Sequence, residues 1–279
     1  MSHSKGAGHD DLSQAENEAW WLVFLGFRPQ SGNHHVLGRE TFLAPVRWDE
    51  NAWPVVNRNG TVDLYMDTPT LPLQPFEDPD YNTSFNESQL GYEWNYLRNP
   101  VKENYVLNPE EGHLILKTSP VSLNDSGSPT FLSRRQQHME FSATTHMNLF
   151  GAQKNDEAGI TLFMDNDSHY DLFVRQKNSN ERVLVLRYRL GNLMYEAKEI
   201  EIDPEAVYLR LEGDRENYSF AYSVDGENYR TIDKMDVKYL SSETAGGFTG
   251  VVIGMFAKSQ NENSKGFGKF YEFKYIPKE

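Results

Sequence analysis

The chain has 279 residues, enough for one large β domain or two ordinary domains. It carries 27 Lys and Arg against 41 Asp and Glu, a formal net charge of −14. No run of basic residues is long enough to follow a phosphate backbone. Nucleic acid is therefore not expected as a partner. The longest apolar stretches, residues 19–27 and 251–257, are far shorter than the ~20 residues of a bilayer span, so no membrane partner is expected.

The sequence contains no cysteine. Disulfide frameworks, thiol nucleophiles and thiolate metal sites are excluded, which leaves His, Asp and Glu as metal ligands. The compartment stays unknown, because the Asn-x-Ser/Thr sequons suit a secreted parent and an Asn- and Ser-rich surface equally well. The sequons begin at Asn59, Asn82, Asn86, Asn124, Asn166 and Asn217.

The first 75 residues differ in composition from the rest of the chain. Four tryptophans, at positions 20, 21, 48 and 53, fall in short predicted strands. Three prolines follow within residues 68–75, and because proline fixes φ and lacks an N–H donor, this segment is predicted to be an extended strap. We therefore place a domain boundary near Phe76. A unit covering 1–75 is expected to be part of something larger, because small domains without disulfides or metals are only marginally stable.

Residues 76–279 show the two-residue periodicity of strands. In residues 137–149, every second side chain from Met139 to Leu149 is apolar or small, as expected for a strand with one buried face. Asp225-Gly226 follows the strand-like run 218–224 and predicts a hairpin turn with positive φ. Further strands are predicted at 159–164, 170–176, 182–189, 206–211 and 269–276. These observations predict an all-β chain with a two-sheet sandwich.

Several phrases of the sequence resemble one family. They are Gly8-His-Asp-Asp-Leu12, residues 20–28, Gly38-Arg-Glu-Thr-Phe-Leu-Ala-Pro45, residues 53–57, Trp94-Asn-Tyr-Leu-Arg98, residues 129–138, Ala158-Gly159, Tyr222-Ser-Val-Asp-Gly226 and Ala245-Gly-Gly-Phe-Thr-Gly250. In order and spacing, the chain resembles the C-terminal part of the two-domain β-xylosidases and α-L-arabinofuranosidases of glycoside hydrolase family 43. The resemblance implies a remnant of a five-bladed β-propeller over 1–75 and a concanavalin A-like β-sandwich over 76–279.

The activity that the resemblance implies is inverting hydrolysis of a glycosidic bond in hemicellulose, in which one carboxylate activates water and a carboxylic acid protonates the leaving oxygen. In this family those carboxylates lie on earlier propeller blades, so no catalytic residue is assigned within this chain. The expected partner of the complete enzyme is a xylo- or arabino-oligosaccharide. Two alternatives remain open: a free-standing, lectin-like carbohydrate-binding module, and a truncated remnant without activity of its own.

Two residues are candidates for substrate binding. Arg39 matches the family arginine that reaches sugar hydroxyls, and its five donors in a planar fork suit that task. The alternative for Arg39 is a surface ion pair with Glu40 or Asp49. Phe248 matches an aromatic residue that the sandwich extends to wall the sugar pocket, and the alternative is an ordinary core position.

His9 matches a family histidine on the propeller axis that contacts calcium through water. The resemblance implies that calcium can bind in the complete propeller, and no other cofactor is expected. Direct ligation of the calcium by His9 is not expected, because calcium prefers oxygen ligands. The alternative for His9 is a purely structural role. Arg134 and Arg135 are predicted to join a buried polar network or an interdomain contact rather than to bind carbohydrate.

Overall fold

A computed structural model describes residues 5–58, 60–68, 70–75, 81–203 and 205–278. The predicted boundary at Phe76 and the sequon residue Asn59 lie outside these ranges. The strands in chain order are β1 (Lys5–Gln14), β2 (Trp20–Phe27), β3 (Glu40–Trp48), β4 (Pro54–Val56), β5 (Asn82–Thr83), β6 (Asn95–Tyr96), β7 (Tyr105–Asn108), β8 (His113–Lys117), β9 (Thr130–Arg135), β10 (Phe141–Phe150), β11 (Glu157–Asp165), β12 (Ser168–Gln176), β13 (Arg182–Leu190), β14 (Leu193–Glu201), β15 (Ala206–Gly213), β16 (Asn217–Ser223), β17 (Arg230–Asp236), β18 (Val252–Lys258) and β19 (Phe267–Pro277).

Helical structure is confined to short turns in these ranges. Three 3-10 turns cover Ser31–Asn33, Lys102–Asn104 and Val237–Leu240, and one α-helical turn, α1, covers Ser242–Ala245. None of the helices described is long and apolar enough to cross a membrane. The prediction of an all-β chain is confirmed.

Residues 5–56 contain one four-stranded antiparallel sheet in the order β1-β2-β3-β4. Trp21 and Phe24 are buried in it, and the Phe24 ring stacks on Phe42 at a centroid distance of 5.6 Å. Other large apolar side chains of this sheet remain exposed. They are Leu12, Val23, Leu43, Trp48 and Trp53. A twisted four-stranded meander with exposed apolar residues has the form of a single propeller blade.

The rest of the chain forms a sandwich of two antiparallel sheets. One sheet has the order β17-β16-β15-β10-β19-β8-β7, with β5 paired to β19, and the other has the order β14-β13-β12-β11-β18-β9-β6. In strand β10 the predicted apolar face is buried, with Phe141, Ala143, Met147 and Leu149 all inside, but the opposite face is not exposed as predicted, since Ser142, Thr144 and Asn148 are buried too. The predicted hairpin at Asp225-Gly226 is confirmed: it joins β16 to β17, and Gly226 has φ 78°.

Candidate functional site

The connection between β2 and β3 reaches from the first sheet onto the sandwich. The backbone N–H of Val251 donates to the carbonyl of Val36 at 2.7 Å, and the N–H of Ser242 donates to the carbonyl of His35 at 3.2 Å. The guanidinium of Arg135 donates to the carbonyl of Leu37 at 3.1 Å. We call these two facing segments, residues 34–38 and 241–251, the joint. Main-chain hydrogen bonds fix its geometry.

Two glycines meet where the backbones of the joint come closest. A Cβ placed on Gly38 would lie 2.4 Å from the backbone nitrogen of Gly250, and one placed on Gly250 would lie 2.3 Å from the carbonyl oxygen of Leu37. Gly38 also has φ 73°, a left-handed conformation that glycine adopts without steric cost. The joint therefore requires glycine at both positions.

A histidine and a carboxylate connect the two segments of the joint through their side chains. One Glu243 carboxylate oxygen accepts the backbone N–H of His35 at 2.9 Å, and the other lies 2.5 Å from Nδ1 of the same residue. His35 is buried, and its ring packs at a tilt against Phe27, with the ring centroids 4.1 Å apart. Burial acts to raise the pKa of Glu243, but the hydrogen bonds from His35 and from its own backbone outweigh burial and hold that pKa below its usual range.

The joint brings the two substrate-binding candidates together. The guanidinium carbon of Arg39, which directly follows Gly38, lies 5.3 Å from the centroid of the Phe248 ring. Phe248 is 71% exposed, so the alternative of an ordinary core position is wrong. Gly246 and Gly247 precede it with φ 87° and 79°, left-handed conformations that glycine adopts without steric cost. An exposed arginine and an exposed aromatic ring thus form one surface contributed by both units.

The acidic neighbours proposed as alternative partners of Arg39 are engaged elsewhere. Glu40 forms a two-pronged ion pair with Arg28, whose Nη2 lies 2.8 Å from a carboxylate oxygen. One carboxylate oxygen of Asp49 accepts the backbone N–H groups of Asn51 and Trp53. Within the described ranges, the exposed Arg39 guanidinium makes no hydrogen bond or ion pair, so its donors face solvent.

His9 lies on β1, which is one edge strand of the first sheet. The residue is exposed and has φ 53°, at a point where the pairing register with β2 shifts between Gly8 and Asp11. Across the part of the chain that the structure describes, no three His, Asp or Glu side chains come together to hold a metal ion. Calcium binding in the complete propeller and the axial role of His9 both stay predictions.

The two adjacent arginines of β9 behave as the sequence predicts. Arg134 is buried, donates to the carbonyl of Tyr81 at 2.9 Å and lies over the rings of Tyr81 and Trp94. Arg135 supplies the hydrogen bond to Leu37 in the joint. Arg134 therefore belongs to a buried polar network and Arg135 to the contact between the units.

A second polar cluster lies on the face of the seven-stranded sheet that points away from the other sheet. Asp171 is fully buried, with His169 Nδ1 at 2.8 Å and Arg187 Nε at 3.0 Å from its two carboxylate oxygens. Arg187 continues to Glu157 at 3.1 Å, and Thr161 donates to Asp171 at 2.7 Å. Because all these groups are buried and paired, the cluster is structural and closed to a substrate.

Sequence reasoning did not find His35 and Glu243. Neither residue stands in a pattern that predicts chemistry, because each becomes informative only when the fold brings the distant segments together. For His35, the available signal in the sequence was its closeness to the family phrase Gly38–Pro45. No signal in the sequence pointed to Glu243.

The fold and the joint define a class of protein: a propeller blade docked on a concanavalin A-like sandwich. The model of the β-xylosidase C-terminal concanavalin A-like domain matches residues 82–276, and that of glycosyl hydrolases family 43 matches residues 2–54. The first match covers more than half of the chain, and the chain belongs to the family of β-xylosidase C-terminal concanavalin A-like domains of glycoside hydrolase family 43.

Known proteins align along nearly the whole chain. A non-reducing end α-L-arabinofuranosidase from Bacteroides ovatus is 33% identical over 257 residues, which are 91% of this chain and 48% of that protein. A xylosidase/arabinosidase from Butyrivibrio fibrisolvens is 29% identical over 273 residues, 95% of this chain and 52% of that protein. The chain thus spans about half the length of the curated relatives it matches.

Solved structures agree with this assignment. The structure of a xylan β-1,4-xylosidase from Bacillus halodurans superposes with a TM-score of 0.91 at 29% identity, covering 98% of this chain and 54% of that one. The Bacteroides ovatus xyloglucan-locus family 43 protein gives a TM-score of 0.90 at 32% identity, covering 97% of this chain and 54% of that one. The predicted fold, a propeller remnant followed by a concanavalin A-like sandwich, is confirmed.

Proposed function

We propose that this chain is the C-terminal part of an inverting glycosidase that removes a terminal xylose or arabinofuranose from hemicellulose oligosaccharides. The proposal rests on one observation above all: Arg39 of the blade and Phe248 of the sandwich lie together in solvent at the joint. A guanidinium can donate to sugar hydroxyls, and an aromatic ring can pack against the apolar face of a sugar. Relatives named as xylosidases and arabinofuranosidases support this substrate class.

In this proposal, residues 1–75 complete a propeller and residues 76–279 support it. The exposed apolar side chains of the first sheet are consistent with neighbouring blades packing against it. Two grooves of about 760 and 570 Å³ run along this sheet, one lined by Pro45 and Val46 and the other by Leu22 and Phe24. Both lie away from Arg39 and Phe248, and we assign them to packing between blades rather than to sugar binding.

The chemistry divides between this chain and the blades that precede it in the proposed enzyme. The general base and general acid of an inverting glycosidase stand apart to admit a water molecule, and both belong to earlier blades in this proposal. Arg39 binds hydroxyl groups of the terminal sugar, and as a fixed cation it also lowers the pKa of carboxylates near it. Phe248 forms a wall of the pocket and excludes water from one side of the sugar.

A chimera tests the proposal. The part of the Bacteroides ovatus arabinofuranosidase that matches this chain is replaced by the chain, with the junction before Lys5 so that the joint stays intact. The chimera is expected to hydrolyse aryl arabinofuranoside or aryl xyloside with inversion, observed by NMR of the released anomer. An inactive but folded chimera, or one that retains configuration, would contradict the proposal.

Variants of the chimera assign the two residues. Arg39→Ala is expected to lower kcat/KM about 10- to 100-fold, because hydrogen bonds from a charged donor contribute about 1.5–3 kcal/mol. Phe248→Ala is expected to lower it about tenfold, since losing part of an aromatic contact costs about 1–2 kcal/mol. Arg215→Ala and Tyr92→Ala, which change exposed side chains of the sandwich, serve as matched controls and should leave kcat/KM unchanged.

A further inference from the structure

We infer that Glu243 is a positioning residue that, through His35, holds the loop presenting Phe248 against the segment presenting Arg39. The importance of this arrangement for a sugar rests on the proposed function, whereas the arrangement itself can be measured without any sugar. Glu243 touches neither Arg39 nor Phe248 in the contacts described above. It acts instead on the segments that carry them.

The loop that presents Phe248, residues 246–250, is held at both ends by a single segment of the first unit. At its start, α1 is bound to His35 through the Glu243 carboxylate and through the backbone N–H of Ser242. At its end, Val251 donates to the carbonyl of Val36, and Gly250 contacts Gly38. Arg39 follows this segment immediately. Whatever fixes residues 34–38 against α1 therefore fixes the Phe248 ring relative to the Arg39 guanidinium.

The first of these two attachments depends on side chains. α1 is a single turn, with Ala245 N–H donating to the carbonyl of Ser241 at 2.8 Å and Gly246 N–H to that of Ser242 at 3.0 Å. Isolated turns of this length are unstable, so contacts from outside determine where α1 lies. Gly246 and Gly247 then lie at positive φ and impose little restriction of their own.

Glu243 is suited to this task because it binds one residue in two directions. Its two carboxylate oxygens contact the backbone N–H and the ring of His35, so they restrain both the path of that segment and the orientation of the imidazole. Ser241 adds a weaker contact, with its hydroxyl 3.0 Å from Nδ1 of His34. Of these interactions, the ionised carboxylate forms the strongest hydrogen bonds, since charge-assisted bonds exceed neutral ones.

The experiment uses NMR on the chain itself, with arginine labelled with nitrogen-15. The ring of Phe248 should change the chemical shift of the Arg39 Nε–H resonance. We define the ring shift as the difference in this chemical shift between the wild-type chain and Phe248→Ala. Arg39→Lys identifies the signal by removing it. Glu243→Ala is expected to lose most of the ring shift. Glu243→Gln should retain more of it, because the amide oxygen still accepts the His35 N–H.

The matched control is Glu196→Ala. The side chain of Glu196 is 40% exposed and pairs with Arg175, whereas that of Glu243 is 39% exposed and pairs with His35. Since Glu196 lies outside the joint, its removal should leave the ring shift unchanged. If Glu243→Ala fails to fold, His35→Phe is used instead. The new phenylalanine still packs on Phe27, and its backbone N–H still donates to Glu243, so a partial loss of the ring shift is expected.

Three results would overturn the inference. They are a wild-type ring shift in folded Glu243→Ala, an equal loss in Glu196→Ala, and no change of the Arg39 signal in Phe248→Ala. None of these results depends on catalysis, so a failure of the positioning role is distinguished from a failure of the glycosidase proposal, which the chimera tests separately.

Discussion

The guanidinium of Arg39 lies over the ring of Phe248 at 5.3 Å, although the two residues come from opposite ends of the chain. A cation–π contact at an exposed site contributes only about 0.5–1 kcal/mol, too little to order two segments by itself. The backbone bonds of the joint and the pair of His35 and Glu243 are shorter and more numerous. The joint therefore sets the position of the arginine and the ring, and their contact is its result.

We predict that the isolated chain does not hydrolyse aryl β-xyloside or aryl arabinofuranoside above a buffer blank. The reason is that the general acid and base belong to earlier blades in the proposed enzyme. Release of the aryl group by the purified chain, followed over hours, checks this. Turnover that persists through purification and disappears in Arg39→Ala would reveal an active site within these residues and would contradict the prediction.

We predict that Gly38→Ala destabilises the chain more than Gly191→Ala does. Gly191 has φ 59° and open space around its Cβ position, so alanine there costs only the left-handed conformation, about 1–2 kcal/mol. Alanine at Gly38 adds a collision with the Gly250 backbone, for a total of about 2–5 kcal/mol. Urea unfolding of both variants measures the difference, and equal losses would show that the joint can open to admit a side chain.

The buried cluster around Asp171 predicts sensitivity to acid. Burial acts to raise the pKa of Asp171, but the charges of His169 and Arg187, with hydrogen bonds from His169 and Thr161, hold the pKa of this carboxyl well below its usual range. A depressed folded-state pKa stabilises the fold above the unfolded value of about 3.9, and that contribution is lost as pH falls below it. The unfolding free energy should therefore decline steeply on the acid side of about pH 4.

Asp171→Asn tests this assignment. Breaking a buried pair by removing one charge costs about 3–5 kcal/mol at neutral pH, and the acid decline should become shallower because the titrating group is gone. Asp167→Asn is the control: Asp167 pairs with Arg189, its side chain is 65% exposed, and its loss should change stability by less than ~1 kcal/mol. Parallel acid declines in wild-type and Asp171→Asn proteins would assign the acid sensitivity to other carboxylates.

We predict that Trp53 contributes to self-association of the isolated chain. The residue is 69% exposed on the first sheet, beside other exposed apolar side chains. Trp53→Gln removes the ring and keeps the backbone N–H that donates to Asp49, so the fold should survive. Light scattering over a range of concentrations should show less association than in the wild type. Tyr92 is even more exposed but lies outside this sheet, so Tyr92→Gln should associate like the wild type.

The sequence was most informative where the two-residue period was strong. Strand β10 alternates apolar or small residues with polar ones in sequence, although the structure buries side chains on both faces, and Asp225-Gly226 marks a turn by its chemistry alone. Strand β14 was not predicted, because it is an edge strand exposed on both faces for most of its length and lacks that alternation. Local pattern gives little signal for a strand when neither of its faces is buried.

The candidate site divides in the same way. Arg39 and Phe248 were identified through family phrases, yet nothing in the residues themselves indicated that they meet. Glu243 stands in a short polar turn that resembles any other surface turn in sequence. Its role depends on a contact with His35 across more than two hundred positions, and such contacts leave no periodic signal in a single sequence.

The paired glycines at the joint restrict how this architecture can be recombined. Gly38 belongs to the blade and Gly250 to the sandwich, and each leaves room for the backbone of the other unit. A side chain on the sandwich at the second position would collide with the backbone of the blade and weaken docking, however well each unit folded alone. The sandwich is thus no interchangeable module attached through a linker. Inheritance of the sandwich is coupled to that of the propeller, and gene fusions that exchange the sandwich must keep glycine at both positions.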